Sequence, residues 1–183
     1  MFGLTIATVI FASILIIKGS AIVMGGRAFT DFALKFLYQR QMAIALWAVA
    51  VCWTLWETVK LGPSDFGSFK PLLFLIFAGL GISSVWMLRD YLIVRAVAVL
   101  NLYISWYFLK AAFLQPEWTR VFFVVPVYLF IIISLWFSVA PWRVRDLLMW
   151  IRNDKQHGAL LGWGQLGYGV WLLVVAATYR FFI

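Results

Sequence analysis

Long apolar runs separated by short polar connections make up most of the chain. A membrane-spanning helix needs about 20 mostly apolar residues. Six runs have about this length, and they cover residues 2–24, 42–59, 71–88, 91–114, 121–140 and 159–179. Only Arg89 and Asp90 separate the third run from the fourth, so these two are expected to form a tight hairpin. The pattern predicts an all-α integral membrane protein, a bundle of six transmembrane helices in a single domain over residues 1–183.

Two of the polar connections carry apolar residues at helical spacing. These residues are Phe29, Phe32, Ala33, Phe36 and Leu37 in the first connection, and Val144, Leu147, Leu148 and Ile151 in the second. Charged and mainly basic residues lie elsewhere on the two segments, namely Arg27, Asp31, Lys35 and Arg40 in the first and Arg143, Arg145, Asp146 and Arg152 in the second. Short basic amphipathic helices of this kind lie in the membrane interface. We therefore expect interfacial helices over about 27–41 and 142–156 on the cytoplasmic side. Docking of a partner subunit is the alternative use of the same faces.

Composition supports the membrane interpretation. Apolar residues make up 65% of the chain and charged residues 12%, whereas soluble domains have roughly 45–50% and about 25%. Aromatic residues reach 19%, with 11 Trp, as is typical of lipid contact and interfacial anchoring. These values exclude a soluble enzyme, a disordered tail and a disulfide scaffold, and the apolar runs leave no room for a second folded domain.

The basic residues are distributed unequally between the two sides of the predicted bundle. Ten lie in or beside the first, third and fifth connections, namely Lys18, Arg27, Lys35, Arg40, Arg89, Arg95, Arg143, Arg145, Arg152 and Lys155. Five lie on the other side, namely Lys60, Lys70, Lys110, Arg120 and Arg180. Because basic residues concentrate on the cytoplasmic side, both termini are expected outside, in the plasma (inner) membrane. No basic residue precedes the first run, so we expect it to be retained rather than cleaved.

Cysteine and histidine usage restricts the chemistry. The single cysteine, Cys52, permits no internal disulfide, and the single histidine, His157, excludes a haem held by two histidines. The seven acidic residues are scattered over both sides of the predicted bundle, so they do not form the carboxylate cluster that holds Mg²⁺. The sequence predicts no cofactor, no metal site and no catalytic residue.

A few polar residues inside the predicted spans are candidates for function. Glu57 lies roughly 9 Å from the middle of the second span, at 1.5 Å per residue, and Lys60 is placed to pair with it. A structural ion pair and a role in translocation or in a quinone site are the two interpretations of Glu57. Asn101 and Ser105 share one face of the fourth span, and Gln165 lies in the sixth. These three are candidates for a polar cavity or for hydrogen-bonded contacts between helices.

Small residues recur four positions apart in the third and sixth spans. The pairs are Gly79 with Ser83 and Gly158 with Gly162. Such pairs let helix backbones approach closely in lipid, which predicts helix packing. The alternative is that these glycine-rich spans are broken helices beside the binding site of a transporter.

The sequence favours a non-catalytic subunit or partner of a larger membrane complex, because the chain is rich in aromatic and small residues and poor in reactive groups. The alternative is a small transporter or channel with a polar cavity near the membrane midplane. A membrane enzyme is least favoured. The expected partners are membrane lipids together with other membrane subunits or further copies of the chain, and no nucleic acid.

Overall fold

The computed structural model describes residues 2–62, 67–87, 91–115 and 118–179, and within them every regular element is helical. The helices are α1 (Phe2–Leu37), α2 (Arg40–Val59), α3 (Lys70–Met87), α4 (Leu92–Ala112), α5 (Val121–Val139), α6 (Trp142–Asn153) and α7 (Lys155–Thr178). Short 3-10 turns at Gly67–Phe69 and Trp118–Arg120 precede α3 and α5. All but α6 are long and apolar enough to cross a membrane, which confirms the all-α class and the six predicted helices of that length. The predicted hairpin at Arg89 and Asp90 lies outside the described residues.

Helix α1 joins two segments that the sequence predicts as separate helices. The junction is Gly26, whose backbone has φ 46° and ψ −121°. Only glycine adopts this conformation readily, because a Cβ would clash with the backbone. The first segment therefore reaches Gly25, and the second, residues 27–37, follows a kink in the helix.

Helix α7 begins at Lys155, four residues earlier than the sequence predicts. The cause is Asp154, whose carboxylate accepts a hydrogen bond from the Gln156 backbone N–H at 2.9 Å and so caps the helix. Despite their glycines, α3 and α7 are both continuous helices.

The main core lies among α1, α4, α5 and α7. Phe11, Phe108 and Phe123 meet in edge-to-face contacts with ring centroids 5.5–5.8 Å apart. All three side chains are at most 7% exposed. Edge-to-face aromatic pairs add about 0.5–1.5 kcal/mol each beyond the burial of their area, so this cluster ties three helices together.

The most extensive interface joins α1 to α7, which run antiparallel. Its close approach depends on glycines, because a Cβ on Gly19 would lie 2.8 Å from the carbonyl oxygen of Gly162. A Cβ on Gly162 would lie 2.5 Å from Val23, and one on Gly169 would lie 2.7 Å from Ile16. No real side chain fits at such distances, so the two backbones pack directly against each other.

Helices α2 and α3 lie at the side of this core. Helix α2 packs parallel to α4, and α3 packs mainly against α2. The Trp47 indole N–H donates to the Gly81 carbonyl at 2.8 Å, and Lys70 Nζ donates to the Val59 carbonyl at 2.6 Å. The bundle thus has two ends. The Glu57 end contains the end of α2 and the start of α3, and the Tyr38 end contains the connection between α1 and α2.

Candidate functional sites

Glu57 lies in the last turn of α2 and is held by Lys60, the residue that follows this helix, and by a side chain of α4. Lys60 Nζ lies 3.0 Å from Glu57 Oε1 and forms an ion pair with it. Tyr107 of α4 donates its hydroxyl to the same oxygen at 3.3 Å. The Glu57 side chain is 21% exposed, so the carboxylate is held in place but still reachable.

Aromatic side chains surround this carboxylate. Trp53 of α2 and Tyr103 of α4 stack with centroids 5.4 Å apart and planes 7° from parallel. Trp106 meets Tyr107 edge to face at 4.7 Å. A cavity of about 460 Å³ opens between α2 and α4, and its lining is Glu57, Leu61, Val99, Leu102, Tyr103 and Trp106. We call this cavity the Glu57 groove.

The other polar candidates are not gathered at Glu57. Ser105 is fully buried, and its hydroxyl has no hydrogen-bond partner among the described residues. Gln165 Oε1 is also buried without a partner in the described part of the chain. Asn101 lies one turn before Ser105 on α4 and is partly buried. None of the three lines the Glu57 groove.

The small-residue candidates divide between packed and outward-facing positions. Gly162 lies in the α1–α7 interface, and a Cβ on Gly158 would come within 3.3 Å of Ile151. A Cβ on Gly79, by contrast, would meet nothing within 4 Å. The hydroxyl of Ser83 donates to the Leu80 carbonyl of its own helix. The close approach in α3 occurs instead at Gly81, where a Cβ would lie 2.8 Å from Val51.

The search for small residues four positions apart does not find the other residues of the close-packed helix contacts. Gly169 lies seven residues after Gly162 and therefore on the same helix face, which is a signal available from sequence. Gly19 lies between Lys18 and Ser20 in the first span, and only the structure shows that it faces Gly162 and Leu166.

Lys18 is a further residue whose surroundings only the structure shows. It lies seven residues after Phe11 and on the same face of α1. Its Nζ stands 5.6 Å from the ring centroid of Phe130 in α5, within the range of a cation–π contact. No carboxylate of the described residues forms an ion pair with it.

A second cavity lies at the Tyr38 end and has a volume of about 470 Å³. Its lining includes Tyr38, Arg40 and Tyr91, and the two tyrosine rings stand 6.2 Å apart. Hydrogen bonding to Tyr38 raises the pKa of Tyr91, and partial burial adds to the effect. On α6, Asp146 lies 3.1 Å from Arg145 and raises the pKa of its guanidinium. Tyr91 therefore keeps its phenolic proton at neutral pH and can act as a hydrogen-bond donor.

The described residues contain no candidate metal site, because no three His, Cys, Asp or Glu side chains come together there. His157 stacks on Trp150 with centroids 3.9 Å apart, and its Nδ1 lies 3.2 Å from the Trp150 carbonyl oxygen. These contacts describe a histidine that helps to join α6 to α7.

Comparison of the chain with protein-family models, with curated proteins and with solved structures finds no match. The class of the protein therefore follows from its own helices, six of which are long and apolar enough to cross a membrane.

Proposed function

We propose that this protein is a non-catalytic subunit of a larger membrane complex. The proposal is supported by one observation, namely that some of the helical glycines pack closely inside the chain whereas others face outward. Gly19, Gly81, Gly162 and Gly169 are used by close packing inside the chain, whereas Gly79, Gly164 and Gly167 face outward with nothing within 4 Å of an added Cβ. A glycine inside a helix costs about 1 kcal/mol relative to alanine. Outward-facing glycines therefore weaken α3 and α7 without serving the internal packing.

These outward glycines lie on faces suited to another helix. Gly79 is on the exposed side of α3, between Leu75 and Ile82, which are 69% and 58% exposed. Gly164 and Gly167 share an exposed side of α7 with Leu160. In lipid, apolar contact alone does not drive helices together, and small residues that admit a neighbouring backbone do. A partner helix is the occupant that such surfaces fit.

The proposal includes a position in the membrane. The excess of basic residues favours the Tyr38 end in the cytoplasm and both termini outside, in the plasma membrane. Residues 27–37 and α6 would lie in the cytoplasmic interface as amphipathic helices. The ion pair between Asp31 and Arg152, at 3.1 Å, supports this placement because it joins the two segments.

The alternative is a small transporter or channel. The buried, unpartnered polar atoms of Ser105 and Gln165 are the observation that favours it. Neither residue lines the Glu57 groove or the cavity at the Tyr38 end, so the outward-facing glycines support the subunit proposal better.

Gentle purification of the full chain from its own membranes tests the proposal. We expect a stable complex with other membrane proteins, and expect Gly167→Leu and Gly79→Leu to release them while the thermal unfolding temperature stays unchanged or rises. Gly162→Leu is the matched internal control, and because it forces α1 and α7 apart it should lower that temperature. A protein that purifies alone, or outward variants that keep every partner, would contradict the proposal.

A further inference from the structure

The Glu57 groove combines a carboxylate with aromatic faces and an apolar floor. Lys60 and Tyr107 contact Oε1 of Glu57, and the Trp53 side chain makes a further hydrogen bond to the carboxylate. An ionised carboxylate accepts about four hydrogen bonds, so Glu57 retains acceptor capacity toward the groove that it lines. The aromatic walls are Tyr103 and Trp106.

An ammonium group is the ligand that such a lining fits. Aromatic faces attract cations through the ring quadrupole, Trp most strongly. A carboxylate adds charge complementarity, and the chain's own lysines already use the neighbouring rings in this way. Lys60 Nζ lies 5.1 Å from the Trp56 ring centroid, and Lys110 Nζ lies 5.1 Å from that of Trp106.

We propose that the Glu57 groove binds the ammonium headgroup of a zwitterionic phospholipid. The groove lies at the end of two membrane-length helices, where headgroups are found. Its floor continues from Leu61 to Leu102 and Val99, and Val99 lies almost two turns deeper on α4 than Trp106. An acyl chain can pack along this apolar extension, whereas a small free amine has no apolar group to place there.

The flanking lysines complete the fit to a zwitterion. A phospholipid places its phosphate next to its ammonium group. Lys60, which pairs with Glu57, and Lys110, which lies over the Trp106 ring, supply positive charge beside the groove. An anionic lipid would meet these lysines too, but it would also meet Glu57 without an ammonium to offset it. The groove therefore discriminates through its carboxylate, and this inference does not depend on the chain being a complex subunit.

Native mass spectrometry of the purified full-length protein tests the inference. The probes are dioleoyl phosphatidylcholine, phosphatidylethanolamine and phosphatidylglycerol, which share their acyl chains and differ in headgroup. We expect one or both ammonium lipids to be retained about tenfold more strongly than the glycerol lipid, a difference of about 1.4 kcal/mol. Free choline and ethanolamine at the same concentration should not compete.

Two charge variants separate the role of Glu57 from that of its ion pair. Glu57→Gln keeps the shape of the side chain and should abolish the preference. Lys60→Met breaks the same ion pair but leaves the carboxylate, so it should keep the preference. Trp106→Leu removes a wall without touching the charge, and we expect it to weaken retention several-fold, with circular dichroism confirming the fold of each variant. Equal retention of the three lipids, a preference that survives Glu57→Gln, or displacement by the free amines would overturn the inference.

Discussion

Ser105 carries a hydroxyl that is fully buried and unpartnered among the described residues. A buried polar group without a hydrogen bond costs about 1–3 kcal/mol. We therefore expect Ser105→Ala to leave the unfolding temperature unchanged or to raise it. Thermal unfolding in detergent, followed by circular dichroism, measures this. If the hydroxyl instead serves a transported substrate, the variant should unfold like the parent and lose a measured flux.

Thr8 provides the matched control for that measurement. Its hydroxyl is equally buried but donates to the Leu4 carbonyl at 2.8 Å. Thr8→Val removes a satisfied hydrogen bond and should destabilise the protein by about 0.5–1.5 kcal/mol. A Ser105→Ala variant that loses as much stability as Thr8→Val would show that Ser105 has a partner.

At the residue scale, sequence reveals contacts between neighbours in the chain and misses distant ones. The pairing of Glu57 with Lys60 follows from their spacing on one helix. Tyr107 is 50 residues from Glu57 in sequence, and nothing in the pattern of α4 indicates that its ring meets α2. The carboxylate is thus predictable as a candidate, whereas the aromatic walls that define its ligand are not.

Helix α3 depends on few contacts for its position, and Trp47 supplies a central one. Its indole N–H donates to the Gly81 carbonyl across the α2–α3 interface. Trp47→Phe keeps a ring but loses this hydrogen bond, so we expect faster hydrogen–deuterium exchange over residues 70–87. Trp86→Phe is the matched control, because Trp86 is 65% exposed on α3. Unchanged exchange in Trp47→Phe, or equal changes in both variants, would show that other contacts hold α3.

At the element scale, hydrophobic runs predict the six long helices closely, and local backbone chemistry explains the remaining differences. The kink at Gly26 needs a positive φ, which a run of apolar and small residues does not reveal. The earlier start of α7 depends on the side chain of Asp154. The sequence pattern also does not show which face of α3 packs against α2, because a helix surrounded by lipid is apolar on every side. Gly79 and Gly81 therefore look equivalent in the sequence, although in the structure Gly81 packs against Val51 and Gly79 faces outward.

At the scale of the whole molecule, orientation in the membrane is the property that the helices alone leave open. The sequence predicts that the two ends differ in charge, with ten basic residues assigned to the Tyr38 end and five to the other. Such a bias favours that end in the cytoplasm. Ser68, in the turn before α3, and Gln156, at the start of α7, are exposed reporters at opposite ends.

Cysteine labelling of intact cells measures the orientation. Cys52 is exposed and must first be replaced, so the background is Cys52→Ser. In it we expect a membrane-impermeant maleimide to label Ser68→Cys from outside and to reach Gln156→Cys only after permeabilisation. Labelling of Gln156→Cys alone in intact cells would invert the orientation. Labelling of both from outside would contradict the placement of the two residues on opposite sides of the membrane, and with it the spanning arrangement of α3, α4 and α5, the long helices between them.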